Sequence, residues 1–178
     1  MVPKEQLKDY QDKVADMFQG AGIYITPEEK DRIEIADLGL SEFEQTGLGI
    51  LIYVNTDRHC AKELAMWPRQ TCPQHRHPAA NSEPGKEETF RVRWGKCYLY
   101  VEGEPTPNPA CKPPAGREDT YNIWHQIELN PGDQYTIAPN TWHWFQAGDE
   151  GAVVSEFSTC STDEYDQFTD PQIMRVEE

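Results

Sequence analysis

QHRHPAANSEPGKEETFRVRWG, residues 74–95, sets two histidines one residue apart and then two adjacent glutamates that open an alternating run. On a β-strand, residues two apart share a face, so His75 and His77 point the same way. The same rule separates the glutamates. Glu88 shares its parity with Phe90, Val92 and Trp94, a set that reads as inward-facing. Glu87 shares its parity with Thr89, Arg91 and Arg93, a solvated set. A buried carboxylate is costly unless it is paired or bound to a metal, which makes Glu88 the informative one of the two.

Working outward, runs of β-branched and aromatic residues recur. They are GILIYVNT (49–56), ELAMW (63–67), ETFRVRWGKCYLYVEG (88–103), TYNIWHQIEL (120–129), DQYTIAP (133–139), HWFQAG (143–148) and AVVSEFST (152–159). PGK, GEPTPNPACKPPAGRED and NPGD lie between them as turn material, and 14 prolines and 12 glycines favour short strands over long helices. The pattern predicts an all-β sandwich or barrel. The proline-rich loop 103–119 reads as an ornate connection rather than a lid. Upstream, KEQLKDYQDKVADMFQ (4–19) puts Leu7, Val14, Met17 and Phe18 at helical spacing. TPEEKDRI (26–33) opens with a capping threonine, a first-turn proline and two glutamates that favour the helix dipole. The expected organisation is one domain over 1–178: an N-terminal helical extension (1–35) packed outside, a barrel (47–160) and a C-terminal segment (161–178).

Composition narrows the function. Charged residues at 26% and hydrophobic ones at 37% are globular proportions. A formal net charge of −15 repels nucleic acid and anionic lipid and excludes both as partners, while it suits a cation or a neutral sugar. Cys60, Cys72, Cys97, Cys111 and Cys160 form no CxxC pair and read as reduced thiols. MVPKEQLKDYQDK has no apolar centre, so no secretory signal is expected, and no apolar run reaches the roughly 18 residues of a membrane span. The expected location is the cytoplasm.

In DQYTIAPNTWHWFQAG (133–148), Tyr135, Ile137, His143, Phe145 and Ala147 share one parity, so His143 follows the apolar face. Three imidazoles and a carboxylate suit a divalent ion such as Mn²⁺, Fe²⁺, Co²⁺, Ni²⁺ or Zn²⁺ and leave positions open on an ion that accepts six ligands. A structural zinc site is more often closed and cysteine-rich. His59 and His125 fall outside this pattern and read as structural or surface residues, His125 being the one that would reach a pocket.

These residues resemble the cupin superfamily, whose jelly-roll-like β-barrel carries two motifs. The first corresponds to His75, His77, Glu88 and Gly95, and the second to GDQYTIAPNTWH (132–143). One departure stands out: ten residues (78–87) precede the glutamate where three or four are usual, so PAANSEPGKE is expected to bulge beside the metal. With that insertion, the pattern HRHP…GKEETFR.RWGK.YLYVEGE, YTI.PNT.HWFQAG and GAVVSEFST.STDE.D.FTDP.I.R resembles the bacterial D-lyxose isomerase family from Tyr53 to Arg175. The resemblance implies a single-domain cupin, usually a homodimer, with a divalent metal that is often Mn²⁺. It implies interconversion of D-lyxose with D-xylulose, and often of D-mannose with D-fructose. The family's metal ligands map onto His75, His77, Glu88 and His143.

Moving a hydrogen between C1 and C2 of an open-chain sugar needs a Lewis acid and a base that is not itself a ligand. Glu156, on 152–159, is the first candidate base, and Lys86, in the insertion, the second catalytic candidate. Tyr98, Trp144, Asp166 and Arg175 are candidates to hold sugar hydroxyls or stack on the ring. STDEYDQFTDPQIMR (161–175) is expected to cover the mouth of the barrel, in the same or a partner subunit. Two other readings stay open: a cupin dioxygenase using Fe(II) and O₂, and a non-catalytic sugar-binding cupin.

Overall fold

The computed structural model describes residues 2–80 and 84–175. Part of the insertion, residues 81–83, therefore lies outside the described residues. Two helices, α1 (Lys4–Gly20) and α2 (Pro27–Asp31), precede β1 (Glu34–Ala36), β2 (Leu48–Asn55), β3 (Cys60–Met66) and β4 (Thr71–Arg76). Then follow β5 (Glu88–Val101), β6 (His125–Leu129), β7 (Gln134–Ile137), β8 (His143–Ser158) and β9 (Gln167–Phe168). The chain is all-β in its body, with the helices outside, as expected.

Two strands are far longer than the turn-rich composition predicts: β5 has 14 residues and β8 has 16. The runs read as separate strands at 143–148 and 152–159 are one strand. β5 and β8 pair antiparallel along most of their length and bend together. Their ends at Glu88–Gly95 and Ala152–Ser158 belong to one antiparallel sheet, with β3, β2 and β1 on one side and β7 on the other. Their other ends, Cys97–Val101 and His143–Ala147, belong to a second sheet with β4, β9 and β6. The register shifts between Val92 and Trp94 and between Gly95 and Cys97 carry the strands from one sheet to the other. Gly95 makes this bend possible: its φ is +68°, and a Cβ there would lie 2.1 Å from the Gly151 carbonyl oxygen.

The bend reverses which parity faces inward. Phe90 and Val92 face the core on the first side of the bend, and Cys97, Leu99 and Val101 on the second. Trp94, read as inward, sits at the shift and is 36% exposed. The core between the sheets is closed by Leu64, Met66, Ala147, Ala152 and Val154, with Phe90 and Phe145 edge to face at 4.9 Å. On the outside of the first sheet, α1 lays Val14, Ala15 and Phe18 on Leu51, Ala65 and Val153. The Thr26 hydroxyl accepts from the Glu29 N–H while the Glu29 carboxylate accepts from the Thr26 N–H, the reciprocal cap that starts α2.

On the outside of the second sheet, Tyr100, Tyr121 and Trp144 form a separate aromatic cluster. The loop 103–119 covers it: the Cys111 N–H donates to the Tyr100 hydroxyl at 3.0 Å, and the Lys112 carbonyl accepts from Gln146 at 2.8 Å. Only His125–Leu129 of the run 120–129 is strand; a 3-10 turn over Glu118–Thr120 precedes it. All five cysteines are free. Among the described residues no helix is long and apolar enough to cross a membrane.

Candidate metal centre

His75 near the end of β4 lies directly opposite His143 at the start of β8. Glu88, the first residue of β5, reaches them from the other sheet, and His77 follows immediately after β4. All four are buried, and one ligand atom from each lies within 4.8 Å of the others. Glu88 Oε1 stands 2.9 Å from His143 Nε2 and 3.3 Å from His77 Nε2.

The orientation of each ring has a local cause. His75 Nδ1 donates to the Pro73 carbonyl at 2.8 Å, and His143 Nδ1 donates to the Thr141 carbonyl at 2.9 Å. His77 Nδ1 donates to Asp166 Oδ1 at 2.5 Å. With every Nδ1 engaged outward, every Nε2 turns toward the same space. Among the described residues, buried His143 Nε2 has no assigned hydrogen-bond partner, with Glu88 Oε1 2.9 Å away. Three imidazole nitrogens with engaged partners and one carboxylate fit a divalent transition metal, the arrangement in which second partners orient the ligands.

Electrostatics agree with that fit. Burial, reinforced by His143 and His77, pushes the His75 imidazole well below its ordinary value, so it is neutral and ready to donate a lone pair. Burial alone would raise Glu88, but Lys86 and His77 outweigh it and hold the carboxyl well below the usual range. Burial and Lys86 pull His77 down, yet Glu88 and Asp166 outweigh them and raise it to about 9. Glu88 and Asp166 thus face opposite nitrogens of one imidazole, Glu88 at Nε2 and Asp166 at Nδ1.

Beside this set lies a second cluster of charges. The Lys86 ammonium is buried 2.9 Å from Glu88 Oε2, 3.2 Å from Glu156 Oε1 and 3.6 Å from Asp163 Oδ1. Lys62 of β3 lies 3.6 Å from the same Glu156 oxygen and 3.2 Å from Asp163 Oδ2. Arg175 bonds Asp163 at 3.2 Å and pairs with Glu34 at 3.3 Å. Burial would lower Lys86, but Glu156, Glu88, Asp163 and Asp166 around it hold it well above the ordinary lysine value. Both clusters open into one cavity whose other wall is apolar: Leu48, Ile50, Leu64 and Phe90. The arrangement offers a cation site, a buried carboxylate outside the ligand set and two ammonium donors, all facing one small-molecule space.

Comparison with known proteins agrees with this reading. The family model described as D-lyxose isomerase matches residues 111–178. The chain is 63% identical over 178 residues to the D-lyxose/D-mannose isomerase of Thermosediminibacter oceani, covering all of this chain and 98% of that protein. It belongs to the D-lyxose isomerase family. The D-lyxose ketol-isomerase of Thermofilum sp. is 56% identical across all of this chain and 99% of its own length. Members of this family are enzymes, and the chain is one. The fold recurs in L-ribose isomerases. That of Acinetobacter sp. DL28, in complex with L-ribose, superposes with a TM-score of 0.81 at 16% identity, over 97% of this chain and 94% of that one. That of Cellulomonas parahominis gives 0.78 at 19% identity, over 96% and 94%. At such identity the likeness shows the fold alone.

Within the family pattern, the sequence-derived candidates divide. His75, His77, Glu88, Lys86, Glu156, Asp166 and Arg175 all border the cavity or, with His143, the centre behind it. Tyr98 and Trp144 do not, which corrects their reading as sugar contacts. Trp144 is fully buried on the far side of β8, stacked on Tyr100 at 3.9 Å with its indole N–H donated to the Ile123 carbonyl. Tyr98 packs beside that cluster. Both lie beyond the bend, where the even positions of β5 and the first part of β8 point outward. His125 Nδ1 donates to the Glu104 carbonyl outside the cavity, and His59 sits in an exposed turn with Thr56. Two site residues were missed. Lys62 shares its parity with Leu64 and Met66, an inward signal lost because the strand was read from Glu63. Asp163 follows the last long strand in a polar stretch with no alternation to read.

Proposed function

We propose that the chain is a metal-dependent aldose–ketose isomerase that interconverts D-lyxose and D-xylulose, and also D-mannose and D-fructose. In this reading the 178 residues act as one cupin domain, in a cytoplasmic homodimer. Family membership supports the reaction class. The observation that carries the mechanism is Glu156, a buried carboxylate held outside the ligand set but only one lysine away from Glu88. His75, His77, Glu88 and His143 would hold the ion, Mn²⁺ first among Zn²⁺, Co²⁺, Ni²⁺ and Fe²⁺. A divalent ion there supplies Lewis acidity that stabilises negative charge developing on the sugar oxygens of an enediolate.

The remaining steps fall to side chains. Glu156 removes the proton from C2 of the open-chain aldose and returns it to C1, while the hydroxyl proton moves between the two oxygens. Lys86 donates a hydrogen bond toward the reacting oxygens, and Lys62 holds Glu156 from its other side. Arg175 donates to hydroxyls farther along the chain. The apolar wall excludes water from the charged end. Lyxose and mannose share the arrangement at C2 and C3, where the chemistry occurs, which supports both sugars as substrates.

The test is a ketose assay. Protein stripped by chelator and reloaded with Mn²⁺ is incubated with D-lyxose and with D-mannose under nitrogen, with Glu88→Ala alongside. Ketose is expected only with metal and only from the unmodified chain. Metal-loaded protein that forms no ketose from either sugar overturns the proposal, and oxygen uptake with Fe²⁺ would then favour the dioxygenase.

A further inference from the structure

The three histidines of the centre are not oriented in the same way. His75 and His143 each rest on the carbonyl of the residue two positions earlier, Pro73 and Thr141. That support forms as soon as the local strand forms. His77 has no such neighbour: its Nδ1 rests on Asp166, 89 residues away in sequence. Both groups are buried, with side-chain exposures of 6% and 8%.

Asp166 belongs to a segment that grips the histidine motif along its length. β9 pairs with the end of β4, Phe168 opposite His75 and Gln167 opposite Arg76. The Phe168 ring stacks on the His75 imidazole at 5.4 Å and 24°. The Thr169 N–H donates to the Gln74 carbonyl at 3.1 Å. Farther on, Asp170 is held by Arg117 at 2.6 Å. The segment is therefore docked on the strand that presents two of the four ligands.

We infer that residues 161–175 are an energetically coupled part of the metal centre, with Asp166 as the positioning residue of His77. The inference rests on the metal reading given above. By accepting the Nδ1 proton, Asp166 fixes the tautomer and the plane of the ring and leaves the Nε2 lone pair for the ion. An undocked segment leaves His77 free to turn away. Binding that requires the docked state must stabilise it, and the coupling acts equally in both directions.

Two measurements on the full chain test this. Calorimetric titration of stripped protein with Mn²⁺ compares wild type, Asp166→Ala and Asp166→Asn. Hydrogen exchange over 161–175 is followed with and without Mn²⁺. Asp166→Ala is expected to weaken Mn²⁺ binding about 10–100-fold, the range for loss of a ligand's orienting partner. Asp166→Asn, which keeps an acceptor oxygen without the charge, is expected to fall between. Mn²⁺ is expected to slow exchange over 161–175 in wild type, and to lose that effect in Asp166→Ala. Should Asp166→Ala fail to fold, the asparagine variant and the wild-type exchange decide. Mn²⁺ binding left unchanged by these variants, or exchange indifferent to Mn²⁺, overturns the coupling alone. A wild-type chain that binds no Mn²⁺, Co²⁺ or Zn²⁺ overturns the metal centre and this inference with it.

Discussion

Inside the barrel, β8 contributes His143 at one end and Glu156 near the other, with Phe145, Ala147, Ala152 and Val154 between them. Its outer face contributes Trp144 to the aromatic cluster, Val153 to the seat of α1, and Ser155, whose hydroxyl donates to Glu63 at 2.8–2.9 Å. Both faces are buried, yet for different ends. The outer groups are satisfied where they stand: Trp144 has its ring partners and a carbonyl. The inner groups are satisfied only as a network: Glu156 depends on Lys62 of β3 and on Lys86, and His143 faces Glu88 of β5. Removing an outer residue should therefore cost stability and leave chemistry intact, and removing an inner one should do the reverse.

The sharpest attempt to break this contrast is Glu88→Ala. It takes away the only carboxylate of the ligand set, and Mn²⁺ binding and ketose formation should both vanish, as read by calorimetry and the assay above. Glu156→Gln comes next. It preserves shape and Mn²⁺ binding, and kcat should fall by about 10²–10⁴, the usual worth of a general base, with KM little changed. On the other face, Trp144→Ala should lower unfolding free energy by about 3–5 kcal/mol in urea titrations, while folded protein keeps its kcat. An equal loss of kcat per folded molecule would show that the two faces are not separable.

The smallest effect concerns Asp163. Burial would raise its carboxyl, but Lys86, Lys62 and Arg175 outweigh it and hold it well below the ordinary aspartate value of 3.8. A depressed carboxylate contributes stability that is complete above its unfolded value and fades as pH falls from there toward the folded one. Asp163→Asn should thus destabilise the chain at pH 7, and the gap from wild type should shrink below pH 3.8. A gap that stays constant down to about pH 2 would count against the ion network.

Alternation carried the reading of the site as far as it did because it is local. His75, His77 and Glu88 precede the bend, and His143 leads into an apolar run of its own parity, so each was visible within ten residues of its neighbours. Alternation failed where the strands change sheets. Trp94 sits on the shift, and Tyr98 and Trp144 lie past it, where aromatic residues that would suit a sugar face the loop instead. No local pattern announces a strand that serves two sheets; Gly95 and Gly151 hint at it, but glycine in a strand has other causes. Lys62 and Asp163 were hidden for another reason. Their partners are Glu156 and Lys86, and charge pairing across the fold leaves no period in the sequence.

The long strand at the centre of the barrel also sets an order of events in the cell. β3, β4 and β5 each pair with β8, and none of these three pairs with another of them. A ribosome makes them first and their shared neighbour last, starting at His143. Until then three strand edges wait without the partner that joins them, exposed to any other chain with an open edge. On this pairing the barrel cannot close before β8 has emerged.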